Sequence, residues 1–370
     1  MHPAIHGWPV FLAWDAPASK PFQRVRMRLK LPIAHLLKAQ RRWEKTLVRA
    51  TKTSRKLIAR PRKARPKKDK LTEISSFGSN PGNLRMLTYV PPQLPDSAPL
   101  VVVLHGCLQT ARAYDEGSGW SMLARRHSFA LVYAEQSQAN NPNRCFNWFQ
   151  PHDARRGSGE ALSIRQMVTR MRRTHSIDPA RIFITGLSAG GAMTSVMLAT
   201  YPEVFAGGGI IAGLPYGAAA GMRHVMFAMK RPRARTPQQW GDLVRSASSY
   251  TGSWPTVSIW HGAEDRTVAA SNAAALLSQW TSVHGISEEV FIQMSVAGHR
   301  RRVWSNRKGD TVIEQYLIDG MGHGTPVRRT KAQAKAGGAG PFMLDVGVSS
   351  SLHLAKSWGL VRQTAASRRT

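Results

Sequence analysis

Four stretches of the chain are dominated by apolar and β-branched residues, are too short for helices, and are bounded by turn residues. They are PLVVVL at 99–104, RIFIT at 181–185, TVSIW at 256–260 and VIEQYLI at 312–318. Runs of this length and composition suit strands of a parallel sheet covered on both faces. Between them the period lengthens. Residues 162–173 repeat apolar positions at helical spacing before the turn at Asp178-Pro179, and residues 192–200 form a second helical run closed by Tyr201-Pro202. The alternation predicts an α/β fold with a mostly parallel central sheet and helices on both faces. Residues 214–253, which include RPRAR at 231–235, break the alternation and read as a small inserted cap. Met222, Met226, Met229 and Phe227 lie in it, where either an adaptable apolar wall over a site or ordinary helix packing explains them.

Charge divides the chain unevenly. Residues 1–70 hold 20 Lys and Arg against three Asp and Glu, a net +17 out of a formal +31 for all 370 residues. Ending in RPRKARPKK at 60–68, this stretch reads as a basic N-terminal extension and solvated linker, leaving 71–370 as the folded domain. Within it, residues 31–58 fit a basic amphipathic helix with Ile33, Leu36, Leu37, Trp43, Leu47 and Val48 near one face. Such a helix suits an anionic membrane surface, a polymer granule or nucleic acid, and equally a docked helix with a solvated charged face; nucleic acid is the least favoured partner. Attachment through the charge should weaken with salt. No segment approaches the roughly 18 apolar residues that span a bilayer, and WPVFLAW at 8–14 lacks the flanks of a standard signal peptide. Two cysteines alone decide nothing about redox compartment. No cluster has metal-ligand spacing and no phosphate-binding loop is evident, so no metal or cofactor is expected.

The strand at 181–185 runs directly into GLSAG at 186–190. A serine on a tight strand-to-helix turn needs flanks with little side chain, which Gly186, Ala189, Gly190 and Gly191 supply, and the helix behind it aims free N–H groups at the same point. This is the pattern of a nucleophile elbow, with Ser188 as the nucleophile. Its base and orienting carboxylate should follow in that order of carboxylate then histidine, each on a loop after a strand. Asp265 sits in the acidic loop after 256–260, with Glu264 as its neighbouring alternative. His323 sits in the glycine-rich DGMGHG loop after 312–318, with His299 and His353 as rivals among 13 histidines. An oxyanion hole needs two converging N–H donors. Ala189 is the first candidate, and Cys107, in the LHGC turn after 99–104, is the second; a plain turn closing the strand would also place small residues there.

The segments VVVLHGCLQTA, ALVYAEQSQANNPNRCFNWF, DPARIFITGLSAGGAMTSVMLATYPEVFAG, SIWHGAEDRTV and LIDGMGHGTPV occur in this order over residues 72–360. Together they resemble the poly(3-hydroxybutyrate) depolymerase family of esterases, which is similar to the feruloyl and acetylxylan esterases. The resemblance implies an α/β-hydrolase fold, Ser188, Asp265 and His323 as a catalytic triad, Cys107 in the oxyanion loop, and a disulfide between Cys107 and Cys145. It also implies an extracellular or periplasmic location and an ester substrate: short-chain polyhydroxyalkanoate or its oligomers, with acyl or feruloyl esters of polysaccharide as the alternative. Secreted polymer-degrading members carry a further polymer-binding domain, and the chain's end at Thr370 leads to the expectation that crystalline polymer is not attacked directly. Members also often place an aromatic residue shortly after the histidine, where this chain has Gly324-Thr325-Pro326.

The reading from the residues is therefore a serine ester hydrolase acting through an acyl-enzyme. Because the base must be neutral to accept a proton, activity should fall as pH drops through roughly 6–7. A reading of another class is a surface- or nucleic-acid-binding protein that uses the hydrolase fold as scaffold. Deletion of residues 1–70 separates them, since an enzyme would keep its turnover on a soluble ester.

Overall fold

The computed structural model describes residues 70–329 and 340–361. The basic extension, with its amphipathic stretch at 31–58, lies outside the described residues apart from Lys70. In chain order the elements are β1 (Thr72–Ile74), β2 (Arg85–Tyr89), β3 (Ala98–Leu104), α1 (Ala111–Ser118), α2 (Trp120–His127), β4 (Ala130–Glu135), α3 (Gly159–Thr174) and β5 (Ile177–Leu187). There follow α4 (Ala189–Thr200), β6 (Gly207–Ile211), α5 (Met222–Lys230), α6 (Pro237–Arg245), β7 (Thr256–Gly262), α7 (Ser271–His284), β8 (Ile292–Val296), β9 (His299–Ser305) and β10 (Thr311–Ile318). β11 (Thr325–Val327), β12 (Met343–Asp345) and α8 (Ser350–Ser357) complete the set.

Ten strands form one sheet in the order β1-β2-β4-β3-β5-β6-β7-β10-β9-β8. The six central strands, β4 through β10 in that order, are parallel to one another, and antiparallel pairs finish both edges. The sequence explains the center. Every residue of β3, β4 and β6 is buried, as continuous apolar or small runs require when helices cover both faces. The two faces can be read from consecutive residues of β6, because side chains alternate along a strand. A Cβ at Gly208 would meet Leu198 of α4, whereas one at Gly209 would meet Leu354 of α8.

Large aromatic rings consolidate the α8 face. Trp358 stacks on Phe183 at 4.8 Å and on Trp120 at 6.1 Å, while Trp260 stacks on Tyr316 at 3.6 Å. On the other side, α4 is buried along all twelve residues, so its composition is apolar and small around its whole circumference instead of amphipathic. Residues 214–253 hold α5 and α6. Within α5 Met229 is buried, whereas Met222, Met226 and Phe227 are exposed. α6 lies against α7, where the Gln279 amide donates to the Trp240 carbonyl and Arg245 to that of Ser282. No helix among the described residues is long and apolar enough to cross a membrane.

Candidate active site

The carboxyl ends of the parallel strands form one rim, and three loops on it carry the candidate chemistry. Leu187 at the end of β5 pairs with Ile211 of β6, Ile211 pairs with Trp260 of β7, and Gly262 of β7 pairs with Ile318 of β10. Ser188, Asp265 and His323 therefore follow strands that end side by side.

Ser188 has φ 56° and ψ −115°, a conformation that costs a non-glycine residue about 1–3 kcal/mol and persists only when its surroundings enforce it. They do so on both sides. The Ser188 N–H donates to the Ile211 carbonyl at 2.9 Å, and its carbonyl accepts from Ala192 at 2.8 Å as the first bond of α4. The helix thus starts at Ala189, three residues before its apolar run suggests. Two glycines make the turn possible: a Cβ on Gly186 would lie 2.4 Å from the Gly190 carbonyl, and one on Gly190 would lie 2.5 Å from that of His105. Among the described residues the Ser188 hydroxyl has no hydrogen-bond partner, and the residue is partly exposed.

Asp265 and His323 are brought together. The His323 Nδ1–H donates to Asp265 Oδ2 at 2.6 Å, and the Asp265 Oδ1 accepts the N–H groups of Thr267 at 2.8 Å and Val268 at 2.9 Å. With Nδ1 protonated, the Nε2 lone pair of His323 is free to accept a proton. Burial pushes the Asp265 carboxyl up. The His323 bond and the positive charge that His323 and His261 can carry outweigh it, and together with the Val268 N–H they hold the group below the usual carboxylate range. Glu264 is exposed, and its backbone N–H is bound to the Met321 carbonyl at 3.0 Å, so it pins the histidine loop while Asp265 holds the imidazole. The rival histidines are engaged elsewhere: His299 bonds the Val346 carbonyl, and His353 packs beside Trp260 and Tyr316.

Sequence reasoning missed His261. Fully buried on β7, it donates from Nε2 to the Val268 carbonyl at 2.9 Å and lies 3.5 Å from Asp265 Oδ2. Burial lowers its pKa, against the opposing pull of the Asp265 carboxylate and the Val268 carbonyl. It shapes the turn that presents Asp265, and its place two residues after Ile259 on an inward-facing strand was the available signal.

The second candidate N–H donor, Cys107, follows β3. His105, buried beside it, accepts the Gln136 N–H on Nε2 and so donates from Nδ1 to the Gly106 carbonyl at 2.8 Å. Because the carbonyl and the next N–H of a peptide point in opposite directions, this bond turns the Cys107 N–H away from His105. Neither the Cys107 nor the Ala189 N–H donates to any described residue. Gln109 was not singled out in the sequence either; it accepts the Gly106 N–H and donates to the Pro341 carbonyl.

Cys107 and Cys145 form a disulfide with Cα atoms 4.3 Å apart, closing a separation of 38 residues. A loop of that size corresponds to about 3–4 kcal/mol of stability through restriction of the unfolded chain. Cys145→Ser should lower the denaturant midpoint accordingly, and reductant should do the same to the wild-type protein but not to the variant. Equal midpoints for both proteins would show that the bridge contributes nothing.

The Cys145 segment is anchored by a buried carboxyl group. Glu160 on α3 accepts both the backbone N–H and the side-chain amide of Asn147, and the amide of Gln136, which also donates to the Cys145 carbonyl. Burial, reinforced by Asp153, nevertheless pushes the Glu160 carboxyl from its ordinary 4.5 up to about 8. The folded protein then holds a proton that the unfolded chain releases. Stability from this group is full below the unfolded value and declines as pH rises from about 4.5 toward about 8. Glu160→Gln should abolish that slope in melting temperature while lowering stability throughout, since its amide would face donors; an unchanged slope would rule out Glu160 as its source.

A mostly parallel sheet with an acid–imidazole pair and a strained serine at its carboxyl rim is the arrangement of an α/β-hydrolase, and the protein is a carboxylic ester hydrolase of that fold. Residues 84–303 match the family described as Esterase PHB depolymerase, to which this chain belongs. Over 292 residues it is 49% identical to poly(3-hydroxyalkanoate) depolymerase C of Paucimonas lemoignei, covering 79% of this chain and 70% of that one. It is 34% identical to an acetylxylan esterase of Coprinopsis cinerea over 71% of each chain. To feruloyl esterase B of Thermothelomyces thermophilus it is 34% identical over 70% of this chain and 89% of that protein. The fold is shared with the solved acetyl xylan esterase from Aspergillus awamori, with a TM-score of 0.66 at 24% identity over 79% of this chain and 99% of that one.

Proposed function

We propose that the protein hydrolyzes short-chain polyhydroxyalkanoate or its oligomers with Ser188, Asp265 and His323 as its triad. Ser188 Oγ attacks the ester carbonyl while His323 Nε2 takes its proton. The N–H groups of Ala189 and Cys107 receive the oxyanion, the leaving alcohol regains the proton from His323, and water repeats the sequence on the acyl-enzyme. The observation that carries this reading is the 2.6 Å bond from His323 Nδ1 to Asp265, made by the loops that follow β10 and β7 on the same sheet rim as the Ser188 turn. That bond leaves the other imidazole nitrogen available, and serine–histidine contacts commonly tighten only once substrate is bound.

The substrate assignment is supported by 49% identity to a poly(3-hydroxyalkanoate) depolymerase, against 34% for acetylxylan and feruloyl esterases. Those relatives favor polysaccharide esters as the second reading. The test is a panel of soluble short-chain esters, polyhydroxyalkanoate film and feruloylated sugar, given to the wild type and to Ser188→Ala. Feruloyl release with no action on film or hydroxyalkanoate oligomers would overturn the first reading in favor of the second.

Residues 214–253 are read as an insertion in which the exposed Met222, Met226 and Phe227 of α5 supply an apolar wall. Support comes from the backbone, since the Ala269 N–H donates to the Met229 carbonyl and ties α5 to the loop after Asp265. The Cys107–Cys145 bridge supports an oxidizing location, extracellular or periplasmic. Residues 1–70 would serve attachment to an anionic surface or granule, and their deletion should leave soluble-ester turnover intact.

A further inference from the structure

Phe342 is the bulky residue held most unexpectedly near the rim. Its φ is +63°, a region that large side chains rarely enter and that requires enforcement by neighbors. A local turn sets it, the Met343 N–H donating to the Gly340 carbonyl at 3.3 Å with Pro341 and Phe342 between them, and three contacts with other segments hold that turn in place. The Phe342 carbonyl accepts the Thr325 N–H at 2.7 Å, two residues beyond His323. The preceding Pro341 carbonyl accepts the Gln109 amide at 2.9 Å, and the same Gln109 holds the Gly106 N–H at 2.8 Å, next to Cys107. The following residues, Met343 to Asp345, pair in parallel with Thr325 to Val327. Gly324 is needed for the approach, because a Cβ there would lie 2.6 Å from the Phe342 carbonyl.

Residues 341–343 thus bridge the loop carrying Cys107 and the loop carrying His323. The result is a ring set edge-on to the imidazole: the centroids of Phe342 and His323 are 6.1 Å apart and their planes meet at 77°. Phe342 packs against the core and keeps part of its surface open.

We propose that Phe342 is a specificity-determining residue for ester hydrolysis, walling the side from which the alcohol leaves. It rests on the assignment of His323 as the base. The side follows from the chemistry: the imidazole that takes the serine proton must hand it to the departing oxygen, so the alcohol leaves past the imidazole and whatever flanks it. An aromatic edge there contacts a bulky alcohol and misses a small one, while the acyl chain, on the other side of the carbonyl, is unaffected.

The test compares Phe342→Gly, Phe342→Leu and Phe342→Tyr with the wild type. Glycine accepts the observed φ without strain, so it removes the ring and spares the backbone; leucine keeps apolar bulk and carries the test if the glycine variant does not fold. Steady-state kcat and KM are measured on methyl and benzyl butyrate, and on methyl esters from acetate to octanoate. The expected result for glycine is a fall of at least ~10-fold in kcat/KM for benzyl butyrate, with about 2-fold or less for methyl butyrate. Leucine should move the same ratio less far, tyrosine should restore it, and the ranking of acyl lengths should not change. An equal loss on both butyrates, an unchanged ratio, or a shift in acyl-length preference instead would overturn the proposal. Failure of the underlying assignment has another signature, namely ester turnover that survives His323→Ala.

Discussion

Ser188→Ala is expected to lower kcat on a soluble butyrate ester by about 10⁴- to 10⁶-fold and leave the fold intact. Two features separate the effects. The serine oxygen has no hydrogen bond to any described residue, so its removal strands no buried partner. The backbone bonds that enforce φ 56° belong to the main chain and survive the substitution. Melting temperature should therefore stay near the wild-type value while single-turnover assays show no acyl-enzyme burst. Turnover within tenfold of wild type would remove this residue from the mechanism.

Asp265→Asn should cost about 10⁴-fold in kcat, by way of a proton placed on the wrong nitrogen. The Oδ1 position accepts two backbone N–H groups, from Thr267 and Val268. An asparagine must keep its carbonyl oxygen there, which turns its NH₂ toward His323 Nδ1. Two donors cannot face each other, so the imidazole would shift its proton to Nε2 and lose the lone pair that general-base catalysis requires. The same substitution removes the charge that stabilizes an imidazolium. Measured pH–rate curves should show a large drop at every pH tested between 6 and 9, roughly the range where imidazole is neutral. Recovery of full activity at alkaline pH would contradict the tautomer explanation.

The legible parts of this molecule are those whose cause lies within about ten residues. β3, β5, β7 and β10 follow from short apolar runs, and the turn at Ser188 follows from small residues placed between a strand and a helix. Antiparallel β8 and β9 were not legible. β9 begins His299-Arg300-Arg301-Arg302, a charged pattern that propensity would not assign to a sheet. It is held there by its ladder to β10, by Arg301 pairing with Glu314, and by Arg301 and Arg302 lying over the rings of Tyr316 and Phe291. Around the candidate site the same division holds. A loop motif marked Asp265 and His323, whereas the bond from Gln109 to Pro341 joins residues 232 positions apart. Pro341 marks a turn whose next position, held by Phe342, can be left-handed, but the segments that dock this turn beside His323 are distant in sequence and left no local signal.

Residue 107 has two attachments with different chemistry. Its N–H donates to no described residue, and its sulfur is covalently tied to residue 145. Synthesis in a thiol-rich cytosol would leave that tether open and the loop held only by hydrogen bonds from His105, Leu108 and Gln109. Material made that way would be folded, would still react with a serine-directed phosphonate probe, and would turn over slowly; oxidative refolding would then raise its rate without adding any protein.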